Sequence, residues 1–164
     1  MKDFKRFIVL FVILCIFWIL FAGKEFNELI LGFVASLIIT ILFYKKAFIF
    51  GEFNLNPKAI AYFVFYIFIL LIEIIKSNIA VAKLVIQPTL PINPGIVKVK
   101  TKLKSRLGRI ILANSITLTP GTLTIETKDD EFYIHWIDVT SENIDEATNS
   151  IVQNFEKYLE VIFG

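Results

Sequence analysis

One cysteine, one histidine and a formal net charge of +2 leave this sequence little from which to build a reactive centre. Cys15 has no partner for an intrachain disulfide, and it sits in the middle of an apolar run. It reads as packing bulk and says nothing about redox compartment. His135 alternates within a strand-like segment beside Trp136, with no cysteine or carboxylate at metal-ligand spacing around it, so its expected role is structural. The sequence shows no glycine-rich nucleotide loop, metal cluster or paired nucleophile and base, and no cofactor is expected. The charge balance argues against nucleic acid, because a duplex binder needs a dense basic face that neutralises several phosphates.

What the chain has in excess is apolar residues. They make up 56% of its 164 residues, and the mean hydropathy is +0.70, a balance that points to lipid rather than to an ordinary globular core. The excess lies mainly before Ile86, whereas charge concentrates after Gly95. Residues 1–86 are therefore expected to be membrane helices and 96–164 a water-exposed domain.

The first apolar run, 7–22, follows Lys2, Lys5 and Arg6. Its outline is that of a signal peptide, but bulky residues fill it and no small-x-small site separates it from the next run. It is expected to stay as a membrane helix, short of about 20 residues unless Phe4 and its neighbours extend it. Gly23, Lys24 and Glu25 lead into a second run, 26–44, closed by Lys45 and Lys46. So short a turn requires an antiparallel hairpin. Gly32, Ala35, Ser36 and Thr40 share one face of this helix, a pattern that lets another helix approach closely. After a polar loop, Pro57 suits the first turn of a third helix, apolar over about 59–76 and amphipathic to 86.

The flanking charges conflict with three full crossings. Lys2, Lys5 and Arg6 before the first run, and Lys45, Lys46 and Lys58 after the second, mark both ends of the hairpin as cytoplasmic. Lys76, Lys83 and the basic stretch beyond them mark the C-terminal half as cytoplasmic too, which a third crossing would forbid. The C-terminal domain is expected in the cytoplasm, so the crossing of the third segment is left open.

Residues 87–95 contain Pro88, Pro91 and Pro94 and read as an extended linker. Ile96 to Leu103 alternates like a half-buried strand. Ser105 to Ala113 reads as a short helix or turn. Ser115–Thr119 and Thr122–Thr127 are expected to form a hairpin through Pro120-Gly121, with Ile116, Leu118, Leu123 and Ile125 on its buried side. A turn at Lys128-Asp129-Asp130 leads into an aromatic-rich strand over 131–139. Asn143, with Glu146 three residues on, opens a helix that presents Ile144, Ala147, Ile151, Phe155 and Tyr158 to the sheet. The expected fold class is membrane α plus a small α+β domain: two to three N-terminal membrane helices, then a cytoplasmic sheet-plus-helix domain that is partly ferredoxin-like.

Among the ionisable residues, Glu73 stands out, because a carboxylate at the end of an apolar run must face water, a partner or a cation. Pairing with Lys76 at the membrane edge is the simpler reading, and a proton relay the alternative. The cluster Lys98, Lys100, Lys102, Lys104, Arg106 and Arg109 reads as a solvated strand face, or as a surface for anionic lipid or an acidic partner.

The run Pro88-x-x-Pro91-x-x-Pro94-Gly95, then Leu107-Gly108-Arg109, then Ala113-Asn114-Ser115-Ile116-Thr117-Leu118-Thr119-Pro120-Gly121-Thr122, then His135-Trp136-Ile137-Asp138-Val139 resembles the E subunit of the Mrp, or Mnh, multisubunit sodium/proton antiporters. The resemblance covers about Glu73 to Val139 by motif and the apolar half by pattern. It includes the equivalent subunit of archaeal membrane-bound hydrogenases and sulfur-reducing respiratory complexes. It implies an accessory, non-catalytic subunit among other hydrophobic subunits of an assembly that carries sodium and protons across the cell membrane. Asn114, Ser115, Thr119, Pro120, Gly121, His135, Trp136 and Asp138 then become turn, fold and docking elements, with Glu73, Lys76 and Arg109 as candidates at the membrane edge or at contacts. The small-residue face and the basic strand are the expected surfaces for neighbouring subunits. Two rivals remain: a membrane-anchored enzyme using Glu73, His135 and Asp138, and a domain that binds lipid through its basic strand.

Overall fold

The computed structural model describes residues 2–22, 25–47, 51–54, 56–89 and 91–164. The turn residues Gly23 and Lys24, and positions 48–50, 55 and 90 of the expected loop and linker, lie outside the described residues. The chain forms two compact units, Met1–Phe53 and Asn54–Gly164.

The first unit pairs α1 (Lys2–Phe21) with α2 (Phe26–Phe43). α1 starts inside the basic N-terminal segment and so reaches 20 residues, about 30 Å of helix and enough for a hydrocarbon core. The helices run antiparallel. Phe7 near the start of α1 meets Tyr44 just past α2 with ring centroids 5.9 Å apart, and Phe11 packs edge-on to Phe33 at 5.2 Å. Gly32, Ser36 and Thr40 are the buried residues of α2. Trp18 fills the notch at Gly32, where an added Cβ would collide with the indole ring. The Thr40 hydroxyl donates to the Ser36 carbonyl at 2.7 Å and is satisfied within the helix, while the buried Trp18 indole N–H has no partner among the described residues. The small-residue face, expected to meet neighbouring subunits, is thus occupied by the chain's own α1. The outward faces stay apolar and exposed, with Phe17, Leu20 and Leu42 among them.

The second unit opens with α3 (Pro57–Ile86), a single 30-residue helix about 45 Å long. Asn56 caps it by accepting the Ala59 N–H at 2.6 Å, and Pro57 takes the first turn, where its missing N–H costs nothing. Then follow β1 (Gly95–Lys100), α4 (Arg106–Leu118), β2 (Thr122–Lys128), β3 (Glu131–Trp136), α5 (Ile144–Ile151) and α6 (Gln153–Phe163). The strands form an antiparallel sheet in the order β1-β3-β2. This is a ferredoxin-like arrangement without a fourth strand. Val97, Val99, Phe132 and Ile134 on its inner face pack against Leu112 and Ile116 of α4 and Ile151, Phe155, Leu159 and Ile162 of α5 and α6. Asn143 caps α5, its side chain accepting from Asp145 N–H at 2.9 Å and Glu146 N–H at 3.3 Å. The helices α1, α2 and α3 are each long and apolar enough to cross a membrane.

The structure corrects the expected hairpin over Ser115–Thr127. Ser115 to Leu118 complete α4, which Ser105 caps by accepting the Gly108 N–H at 2.9 Å. Four-residue spacing decides it: Gly108, Leu112 and Ile116, with Ser115 beside them, make one buried helical stripe, which outweighs the β-branched run that follows. Pro120-Gly121 still makes the turn, with Gly121 at φ +95°, but it joins a helix to a strand. Leu118, Leu123 and Ile125 are consequently exposed, and only Ile116 of the four is buried. Ile125 sits where the β2 register slips between Thr124 and Glu126. The proline segment is also tied down: the Val139 N–H donates to the Asn93 carbonyl at 2.8 Å, and the Asn93 amide donates to the Val139 carbonyl at 3.1 Å.

Replacing Gly32 by Ala should loosen the α1–α2 hairpin by about 1–3 kcal/mol, the usual cost of overfilling a packed contact. Lower thermal stability of the full chain in detergent, partly restored by a smaller residue at Trp18, would show it.

Candidate functional site

Along α3 the less exposed positions are Ala59, Tyr62, Tyr66, Ile69, Leu70, Glu73, Ile74, Ser77, Val81 and Leu84, recurring at steps of three or four residues. They form one stripe. Two tyrosines, a glutamate and a serine in this stripe interrupt the long apolar run on the same side of the helix. Each meets the α/β layer or the cleft beside it. Tyr62 lies beside Tyr158 of α6 with ring centroids 6.2 Å apart. The Tyr66 hydroxyl is hydrogen-bonded to the Ser115 hydroxyl on α4, both side chains being buried. Ser115 also donates to the Ile111 carbonyl at 2.7 Å, so its oxygen is left to accept from Tyr66.

Farther along, Glu73 and Ser77 line a cavity of about 310 Å³. The opposite wall is the Thr119-Pro120-Gly121-Thr122 turn together with Trp136 and Asp138 at the end of β3. The turn is held closely: a Cβ on Gly121 would meet Ile137 Cγ2 at 3.1 Å and Val81 Cγ2 of α3 at 3.4 Å. Most polar groups here are already engaged. Glu73 accepts from Lys76 at 3.0 Å, and Ser77 donates to the Glu73 carbonyl at 2.7 Å. The Thr119 and Thr122 hydroxyls lie 3.0 Å apart and both reach the Ile116 carbonyl, closing the end of α4. Two carboxylates and several hydroxyls give the cavity a polar wall, but they are not arranged as a nucleophile with its base.

The residues singled out by motif fall into distinct places. Glu73, Thr119, Pro120, Gly121, Trp136 and Asp138 share this cavity. Ser115 holds Tyr66. Arg109 and Asn114 line a different cavity, of about 440 Å³. There the Arg109 guanidinium donates to the Asp129 carbonyl and, at 3.1 Å, to the Lys104 carbonyl. It clamps the β2–β3 turn, where Asp129 has φ 53°, to the start of α4. His135 is on neither wall. It pairs with Ile96 and Leu123 on the open face of the sheet, the side away from Ile134. Glu73, His135 and Asp138 are therefore not assembled into one acid/base set. Among the described residues no three His, Cys, Asp or Glu side chains converge as metal ligands. On the same open face Lys98 pairs with Glu131 at 3.0 Å. That hydrogen bond holds the Lys98 ammonium above its usual range.

Two structural positions escape the sequence. Tyr66 is visible there only as one member of a polar stripe in an apolar run. Glu156, buried on α6, accepts from the Thr101 hydroxyl and from the Lys102 N–H at 2.7 Å, pinning the chain after β1 to the helical layer. An isolated glutamate in an amphipathic helix carries no signal that separates it from its exposed neighbours Lys157 and Glu160.

Residues 11–162 match the family model MNHE, described as an Na+/H+ ion antiporter subunit. The chain belongs to this family of Na+/H+ antiporter subunits. The Na+/H+ antiporter E1 subunit of Staphylococcus saprophyticus is 33% identical over 154 residues, covering 92% of each chain. The E1 subunit of Staphylococcus haemolyticus is also 33% identical, over 94% of this chain and 96% of its own. A chain in the solved structure of the membrane-bound sulfane sulfur reductase, an archaeal respiratory membrane complex, is 42% identical. It superposes with a TM-score of 0.86 over 97% of this chain and 99% of that one. The antiporter-subunit fold thus includes both the apolar helices and the α/β layer, and the partners of such a chain are other membrane subunits.

The hydroxyl pair between α3 and α4 gives an asymmetric prediction. Ser115→Ala leaves the buried Tyr66 hydroxyl without a partner and should cost about 1–3 kcal/mol, whereas Tyr66→Phe leaves Ser115 bonded to Ile111 and should cost about 0.5–1.5 kcal/mol. The double substitution should cost less than the two single changes added together, measured as unfolding of the full chain in detergent.

Proposed function

We propose that the chain is an accessory, non-catalytic membrane subunit of a multisubunit sodium/proton antiporter, or of the antiporter-like module of a respiratory complex. Its α/β domain faces the cytoplasm and packs against neighbouring subunits. The observation that carries this reading is the match across nearly the whole chain, helices and α/β layer together, to proteins named as antiporter subunits and to a chain of a respiratory membrane complex. The higher identity to the reductase chain, 42% against 33%, favours a respiratory host.

The geometry of the chain supports a part in assembly rather than in chemistry. The motif residues close helix ends, hold turns and seat α3, and His135 stands on a different face from Glu73 and Asp138. Ion movement then depends on the larger subunits, and this chain contributes by keeping them together. The basic row on β1, with Lys98 and Lys100 sharing Glu131, offers a surface for an acidic neighbour.

Purification of the tagged chain from its own membranes in mild detergent should bring down several very hydrophobic subunits. Recovery of a stable monomer alone would count against the proposal. The identity of the partners, read by mass spectrometry, separates the hosts: redox subunits mark a respiratory complex, and their absence a stand-alone antiporter. Alanine at Glu73, His135 or Asp138 should leave sodium-dependent proton exchange by the assembled complex intact, and its loss with the complex still assembled would revive a direct chemical role.

A further inference from the structure

We infer that α3 does not cross the bilayer but lies along its surface, with its outward apolar face in the lipid interface and the α/β layer on the aqueous side.

The covered side of the helix belongs to α6 and the end of the sheet. The N–H of Asn54, just before α3, donates to the Ile162 carbonyl near the end of α6 at 2.8 Å. Tyr62 lies beside Tyr158, and Asn154 near the start of α6 lines the cavity with Glu73 and Ser77. α6 therefore runs antiparallel to the first part of α3, and Ser115 of α4 takes up the contact at Tyr66. Val81 and Leu84 continue the contact against the Gly121 turn and the end of β3. No length of α3 that could reach through a hydrocarbon core is free of the α/β layer.

A crossing would carry that layer into lipid with it. α6 exposes Lys157 and Glu160 to its surroundings, and β1 and β2 are edge strands of the sheet. Charged side chains are costly in hydrocarbon, and open sheet edges exposed to lipid do not occur there. A helix lying in the interface avoids both costs.

The outward side of α3 fits lipid. Phe65, Phe68, Leu71, Ile72, Ile75 and Ile79 are all exposed, forming an apolar face that a water-facing monomer does not leave open. Lys58, Lys76 and Lys83 stand eighteen and seven residues apart, close to five and two helical turns. They fall in one row along the border between the covered stripe and the apolar face. A row of lysines there lets the ammonium groups reach headgroups while their stems stay with the apolar side. The preceding hairpin continues into α3 within a dozen or so residues, so a membrane is close at hand. With two crossings instead of three, the basic residues before α1, after α2 and beyond α3 all fall on one side, and the conflict among the flanking charges disappears.

This inference is independent of which complex hosts the chain. To test it, single cysteines replace Ala47, Gln87 and Ser141 in the full chain carrying Cys15→Ser, in sealed membrane vesicles of each orientation. A membrane-impermeant maleimide should label all three positions from the same side. Labelling of Ala47→Cys and Gln87→Cys from opposite sides would overturn the inference. In the same background, bimane attached at Phe65→Cys, Phe68→Cys and Ile75→Cys should be quenched alike by a headgroup-level spin-labelled lipid. Quenching by deep-chain labels at the middle of α3 would also overturn it. Absence of lipid quenching at all three positions would assign the face to a protein neighbour and overturn the lipid contact.

Discussion

Neither lipid nor an apolar core offers a hydrogen bond, so a polar group on a long apolar helix is costly unless it finds a partner in protein or reaches water. In α3 the polar groups turned towards protein share one stripe, and the α/β elements supply their partners. Tyr66 takes its partner from α4, Tyr62 packs on α6, and Glu73 and Ser77 face a cleft whose far wall is the Pro120-Gly121 turn. A buried hydroxyl left alone costs about 1–3 kcal/mol, comparable with losing much of a buried aliphatic side chain.

The same requirement explains why the motif residues cluster as they do. Thr119 and Thr122 close the exposed carbonyls at the end of α4. Gly121 permits both a positive φ and the close approach of Val81. Trp136 and Asp138 complete the wall that α3 faces. Arg109, on the other cavity, donates to two backbone carbonyls. Each of these contacts joins elements of the chain's own fold.

Much of this is legible from residue patterns. The apolar runs with lysines at their ends, the cap at Asn56-Pro57, the small face of α2, the turn at Pro120-Gly121 and the cap at Asn143 all depend on neighbours close in sequence, so local reasoning reaches them. What escapes it depends on distant contacts. Ser115 to Leu118 alternate like a strand, yet Leu112 and Ile116 bury a helical stripe against the sheet and α6. The small face of α2 is recognisable as a packing face, but its partner is not, because Gly32 does not reveal that Trp18 is the residue filling its notch. The proline segment divides the sequence by composition, while the packing groups α3 with the α/β elements, since a helix's allegiance is decided by what covers it.

The notch at Gly32 and the cavity wall at Trp136 together account for both tryptophans in the chain. Each compact unit has one indole: one between the two helices of the hairpin, the other beside the seat of α3. The protein is therefore equipped with two native optical reporters. With either tryptophan replaced by phenylalanine, the emission of the other follows the closure of a single unit, and the order in which the hairpin and the α/β layer come apart can be watched without any added label.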